Sequence, residues 1–186
     1  MEIRPATSAD LERLTDIDGT IESLRYLHLD RSGEGMAVQW KLDERPLREK
    51  RIERNAMVEE TIFAFKQIVS GVDEGLALVA EHDDALVASA VARPNVSSGT
   101  MQLLDLRVDF DFRRQGLGTA LMYQIIGEAR NAKLRAVAVT MLTNNVPGSQ
   151  FLLKAGFDLA GVDAQLNSNH DLVKEAVSLF WYASLD

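Results

Sequence analysis

A chain of 186 residues, 46% hydrophobic and 26% charged, is long enough for one domain with a proper core and short for two. It has no cysteine, which excludes a disulfide framework, a thiolate metal site and a cysteine nucleophile. The net charge of −8 argues against nucleic acid as the main partner, and it serves either plain solubility or attraction of a cationic substrate.

No apolar run approaches the roughly 20 residues of a membrane span. Residues 1–5 lack the basic start and apolar stretch of a signal peptide. The expected setting is therefore cytoplasmic, with no membrane partner. Residues 2–6 read as a short alternating start. Thr7 or Ser8 then caps an expected helix, with Asp10 and Glu12 in its first turn and Leu11, Leu14 and Ile17 at helical spacing. Between Gly19 and Asn55 the pattern weakens. Residues 26–30 read as a short strand, 31–35 as a loop, and 41–54 as a densely charged stretch interrupted by Pro46.

Residues 56–69 return to helical spacing, with Val58, Ile62, Phe65 and Val69 on one side and Gly71 as the stop. Runs 76–81 and 85–92 flank His82, Asp83 and Asp84 and read as a hairpin. Residues 94–99 read as a loop, 101–108 as a third strand, 116–132 as a clear helix and 134–142 as a β-rich run. A further helix follows Asn145, interrupted early by Pro147 and Gly148 and ending at Ala155 and Gly156. Residues 157–166 and 176–183 are the last two strand candidates. The order β-α-α-β-β-β-α-β-α-β-β indicates an α/β (α+β) chain in which helices pack on a mixed sheet.

The most informative stretch is Arg113-Arg114-Gln115-Gly116-Leu117-Gly118-Thr119, between a strand and a helix start. A helix start presents unpaired N–H groups and a positive dipole end, so it can hold phosphate. Glycines let the backbone approach the anion, while the arginines and the Thr119 hydroxyl add donors. A Walker loop would need a Gly-Lys pair that is absent. A dinucleotide fingerprint would need a small residue where Leu121 stands. The pattern R-x-x-G-x-G of acyl-CoA-dependent transferases is met by Arg113, Gly116 and Gly118, and an ordinary tight turn with two solvated arginines remains open.

Leu104-Asp105-Leu106-Arg107-Val108 followed by this loop resembles the central signature of the GNAT N-acetyltransferases. Asn145, eleven residues before Gly156-Phe157, resembles the family's Asn…Gly-Phe helix, and Ile3-Arg4-Pro5-Ala6 with Asp10-Leu11 resembles its N-terminus. The resemblance runs from the start of the chain to about Asp163 and is weak between Gly19 and Asn55. Gly156-Phe157-Asp158-Leu159-Ala160-Gly161-Val162-Asp163, with Phe180-Trp181-Tyr182, is similar to the streptothricin acetyltransferase branch. The branch's tyrosine is replaced by Asn167, and its glutamate falls at Ala176 with Glu175 beside it. Strand packing is the competing account of Phe180, Trp181 and Tyr182.

The resemblance implies a GNAT-like, mostly antiparallel central sheet of about seven strands flanked by helices, and one acetyl-CoA-dependent domain over residues 1–186. It implies acetyl-CoA as co-substrate, a small-molecule amine as acceptor and compatibility with a homodimer. The N–H groups of Arg114, Gln115, Gly116, Leu117, Gly118 and Thr119 would hold the pyrophosphate, with Arg113 part of the same loop. Leu106, Arg107 and Val108 would pair with the pantetheine amides, and Asn145 would bond the same arm. The Val108 N–H would stabilise the oxyanion, a contribution of ~3 kcal/mol.

Asp105 and Glu22 are candidates to take the amine's proton, with a satisfied structural carboxylate as the alternative for Asp105. The family's usual tyrosine, which protonates the leaving thiolate, is replaced by Leu152, and Tyr182, His170 or water could substitute. Such acid help is typically worth ~10²–10⁴-fold. Residues 19–55 would cover the acceptor site. His28, His82 and His170 have no metal spacing, so no metal is assigned. Three readings follow: transfer to a small cationic amine, transfer to a protein or peptide amine, or a CoA-binding module with little turnover.

Overall fold

The computed structural model describes residues 1–185. In chain order the elements are β1 (Glu2–Pro5), β2 (Ile21–Ser32), β3 (Gln39–Glu53), α1 (Glu59–Val69), β4 (Leu76–His82), β5 (Ala85–Asn95), β6 (Thr100–Val108), α2 (Leu117–Asn131), β7 (Ala136–Leu142), α3 (Val146–Lys154), β8 (Asp158–Asp163) and β9 (Ser178–Ser184). Seven strands form one mixed sheet in the order β1-β4-β5-β6-β7-β9-β8, and β2 with β3 forms a separate ribbon. The mixed, mostly antiparallel sheet with flanking helices is the architecture expected from the sequence. By contacts the chain divides into two compact units. One holds Met1–Thr20, Arg54–Val139 and the chain end from Ala183; the other holds Ile21–Glu53 and Thr140–Tyr182.

In the first unit, α1 lays Phe65 against Leu14, Ile17, Ala77, Val79, Leu86 and Val91, a dry cluster that Met57, Ala64, Ile68 and Leu104 border. The α2 helix buries Leu117, Leu121, Met122, Ile125, Ile126 and Ala129, which recur at helical spacing. β6 pairs antiparallel with β5 and parallel with β7, and α2 is the crossover that the parallel pair requires.

The expected first helix is replaced by two short 3-10 turns, at Ser8–Asp10 and Leu14–Asp16. The bonds here run from residue i+3 back to i, as in Arg13 N–H to the Asp10 carbonyl at 2.9 Å and Asp16 N–H to the Arg13 carbonyl at 3.1 Å. Asp10 is the cause. Its buried carboxylate accepts from Arg4 at 2.7 and 2.9 Å, from the Thr7 N–H at 2.8 Å and from the Thr7 hydroxyl at 2.9 Å. A side chain that satisfies the local backbone this way closes a turn rather than feeding a helix.

The weakly patterned region is the larger correction. Residues 21–32 and 39–53 are two long strands, in register from Ile21↔Glu53 to Ser32↔Gln39. Neither shows a buried–exposed alternation, because β3 buries no residue fully and β2 only Ser23 and Leu29. Charge pairs span the ribbon instead: Arg25 with Glu44 at 2.7 Å, Arg45 with Asp30 at 3.0 Å, and Lys50 with Glu22. Pro46 sits opposite Arg25, where the register slips, a position that tolerates its missing N–H.

The Asp10 network makes stability pH-dependent. Hydrogen bonds from Arg4, more than any other contact, hold the Asp10 carboxyl well below the usual carboxylate range. A depressed folded value contributes stability that is fully present above the unfolded value near 4 and is lost as pH falls through the folded one. Asp10→Asn is expected to cost roughly 3 kcal/mol at pH 7, since it strands part of the Arg4 charge. Urea midpoints measured from pH 7 to pH 2 should converge for the two proteins at the acid end.

Candidate active site

β6 carries a bulge. Asp105 faces Val91 and Leu103 faces Ala92, so Leu104 is the extra residue. The simple alternation expected around Asp105 is broken there, and Leu104 packs toward the core cluster. Beyond the bulge the β5–β6 ladder fixes which way the backbone points. The Asp109 N–H donates to the Val87 carbonyl at 2.8 Å, so these opposed residues form a hydrogen-bonded pair. Pairs alternate in an antiparallel ladder, which makes Val108–Ala88 and Leu106–Ala90 non-hydrogen-bonded pairs. The N–H and C=O of Leu106 and Val108 therefore point away from β5. On that side the ladder with β7 runs from Thr100↔Ala136 to Leu103↔Val139. Leu106 and Val108 lie past its end and present an extended edge on which an amide-bearing chain can add.

The edge leads into the loop. Asp109 caps a single 3-10 turn at Phe110–Phe112, accepting from the Asp111 N–H at 3.1 Å. Arg114 (φ 61°) and Gly116 (φ 87°) both take the left-handed conformation, and a Cβ at Gly116 would meet nothing within 4 Å. Gly116 is the N-cap of α2, and its carbonyl accepts the Ala120 N–H at 2.9 Å. The N–H groups of Leu117, Gly118 and Thr119 precede that first helical bond, and no side chain caps them. Arg114, Gln115, Gly116 and Thr119 are exposed, while Leu117 is buried as the anchor of α2. An open helix start with an exposed arginine beside it fits a pyrophosphate.

Two of the named side chains lie elsewhere than a ligand would need. Arg113 donates from Nε to the Val108 carbonyl at 2.9 Å, from Nη1 to the Thr20 carbonyl at 2.5 Å and from Nη2 to the Asp18 carbonyl at 3.4 Å. Asp105 accepts from Arg107 through both oxygens, at 2.8 Å each, and Arg107 Nη1 reaches the Asn55 carbonyl at 3.1 Å. Arg107 is buried, so the pair is an internal one, and both Asp105 oxygens are engaged by it. Near this pair the Asp18 carboxyl is held below its usual range, first by hydrogen bonds from Thr20 and then by nearby arginines. The anchoring of Arg113 and the Arg107 bond to Asn55 are not readable in sequence, because they end on main-chain carbonyls.

In the second unit, Asn145 is the N-cap of α3, its Oδ1 accepting the Gly148 N–H at 2.9 Å. This leaves its Nδ2 as the donor for a ligand. Pro147 and Gly148 do not interrupt the helix; they form its first turn, where Pro costs no hydrogen bond. A Cβ on Gly148 would lie 2.3 Å from Met141 Sδ. Leu152 is fully buried. Tyr182 is half-buried on β9 opposite Asp158, next to buried Trp181. Glu22 is paired with Lys50, His170 is exposed, and His28 Nε2 lies 3.0 Å from Asp30. Among the described residues, no three His, Asp or Glu side chains are placed to hold a metal ion.

Residues 36–157 match the family described as Acetyltransferase (GNAT). The chain belongs to the GNAT acetyltransferase family. Streptothricin acetyltransferase A of Bacillus subtilis (strain 168) is 29% identical over 85 residues, covering 46% of this chain and 49% of that relative, so the alignment spans about half of its length. The structure of nourseothricin acetyltransferase superposes with a TM-score of 0.80 at 19% identity, covering 100% of this chain and 98% of that one. A Bacillus anthracis str. Ames protein assigned as a streptothricin acetyltransferase, solved with acetyl coenzyme A, gives 0.79 at 18% identity over 100% and 97%. Similarity to the streptothricin branch is thus seen in both sequence and fold.

Two substitutions probe this site. Gly118→Glu places a carboxylate at the helix start and is expected to abolish acetyl-CoA binding in calorimetry; unchanged affinity would remove the loop from the binding surface. Leu152→Tyr inserts bulk into a closed core position and should lower the unfolding free energy by about 1–3 kcal/mol without raising turnover. A faster enzyme of unchanged stability would show that the pocket can accept the missing acid.

Proposed function

We propose that this GNAT chain transfers the acetyl group of acetyl-CoA to a primary amine of a small cationic molecule. The observation that carries the reading is the β6 edge at Leu106 and Val108, turned away from β5 and with only the Val108 carbonyl taken, by Arg113, running directly into the uncapped start of α2. One segment thus offers a strand for pantetheine amides and N–H donors for pyrophosphate. Arg114, Gln115, Gly116, Leu117, Gly118 and Thr119 would hold the phosphates, Leu106 and Val108 the pantetheine backbone, and Asn145 Nδ2 the same arm; Arg107, expected from the sequence to join them, alternates with these two and turns its backbone to Ser89 on β5. When bound, acetyl-CoA supplies the activated acyl group. The Val108 N–H then serves as the donor for charge that develops on the acyl oxygen.

The acceptor class is supported by the acidic whole-chain charge of −8 and by the relative named for a streptothricin. Residues 19–55, the ribbon with its two ends, are proposed as the variable part that selects the acceptor. Tyr182 is the proposed proton donor to the leaving thiolate. Asp105 and Glu22, the two carboxylates considered as base, are each held by a cation. The amine, with a pKa near that of Lys at about 10.4, is therefore proposed to lose its proton to water before attack.

The test is thiol release from acetyl-CoA with a panel of cationic amines, streptothricin and polyamines included, across pH 6–9. Release that depends on the amine is expected, with kcat/KM rising close to tenfold per pH unit as the neutral amine fraction rises. A plateau beginning near pH 5–7 would instead show a protein base. Acetyl-CoA binding without release from any small amine would overturn the acceptor class in favour of a peptide amine or a module with little turnover.

A further inference from the structure

The ribbon leaves the first unit after Thr20 and returns to it at Arg54. Both crossing points are fastened to one segment, residues 105–113. On the outgoing side, the Asp18 carbonyl accepts from the Phe110 N–H at 3.0 Å, the Asp18 N–H donates to Asp109 Oδ2 at 2.9 Å, and Arg113 takes the Asp18 and Thr20 carbonyls. On the returning side, Arg107 takes the Asn55 carbonyl. The two crossings also touch one another. Gly19 is buried, and a Cβ there would lie 2.8 Å from the Asn55 carbonyl oxygen and 3.1 Å from Arg107 Nη1. Asn55 itself turns with φ 38°.

We propose that Arg113 is a positioning residue that latches the outgoing foot of the ribbon to the end of β6, and that Arg114 is the cation of the phosphate loop. The planar fork of Arg113 is spent on three main-chain carbonyls and stacks on the Phe110 ring at 5.1 Å. Arg114, adjacent in sequence, is exposed and has no partner among the described residues. The left-handed turn at Arg114 is what sends the two neighbouring side chains to different tasks. Because the latch and the loop share residue 113, a ligand that stiffens residues 114–119 also stiffens residues 18–20. The inference rests on the acetyl-CoA reading of the loop.

The experiment compares Arg113→Gln, Arg113→Lys and Arg114→Gln with the parent protein. It measures acetyl-CoA affinity by calorimetry and amide exchange in peptides 18–24, 52–57 and 113–120, with and without acetyl-CoA. Arg114→Gln should weaken acetyl-CoA about tenfold and leave the feet as protected as in the parent. Both Arg113 variants should bind acetyl-CoA within about threefold of the parent, exchange at the 18–24 foot about tenfold faster, and lose the protection there that acetyl-CoA confers. Lysine is not expected to rescue, because one ammonium cannot replace a fork. If Arg113→Gln does not fold, Asp109→Ala removes another bond of the same latch and should reproduce the fast exchange. Weak acetyl-CoA binding in Arg113→Gln that Lys restores would make Arg113 a phosphate ligand and overturn the latch. Unchanged exchange at the feet would overturn it too. Loose feet in the variants, with no protection of 113–120 by acetyl-CoA in the parent, would keep the latch and refute the loop.

Discussion

A buried guanidinium cannot be left unpaired, and the arrangement around Arg107 follows from that requirement. Its side chain is only 5% exposed, and it is satisfied by both oxygens of Asp105 and by one main-chain carbonyl at Asn55. Asp105 and Arg107 can meet because they are two apart on one face of β6, past the bulge at Leu104. The alternate residues, Leu106 and Val108, are thereby the ones whose backbone is turned to the open edge. The demand for charge neutrality on one face and a backbone edge turned away from β5 are thus consequences of the same register.

The same requirement fixes, within the first unit, the two segments that flank the ribbon in the chain. An isolated two-stranded hairpin is marginally stable in water, and β3 of this one exposes most of its side chains. Its ends are held where the chain is buried: at Gly19, which has no room for a side chain, and at Asn55, whose carbonyl completes the shell of Arg107. Arg113 adds the outgoing end. The energetic weight lies in main-chain carbonyls accepting from arginines, bonds that carry no residue-type signature at the acceptor.

That is also why the sequence was legible in some places and opaque in others. Where one face is buried, periodicity shows it, as at Leu117, Leu121, Ile125 and Ala129 on α2; β4 and β5, buried on both faces, show instead as continuous apolar runs whose limits are close to those expected. The helix-start loop was legible because Gly116 is demanded by its left-handed backbone conformation. The ribbon was opaque because β3 buries no residue fully and β2 only Ser23 and Leu29, too few to set a period. The first helix was misread because Thr7 and Asp10 are equally good as a cap or as a closed turn, and Arg4 with Glu81, distant in sequence, decides between them. Arg113 fitted a motif whose letters do not say which way a side chain points.

The meeting of Gly19 and Asn55 also bears on how the chain can fold. Arg4 and Glu81, which join β1 to β4, are 77 positions apart, and the ribbon accounts for residues 21–53 of that span. The ribbon is a local hairpin and can zip early. Once its feet touch, the loop left to close is a little over half as long, a saving of about 0.5 kcal/mol in closure entropy. An appendage with almost no core of its own then acts as a shortcut in the assembly of the sheet.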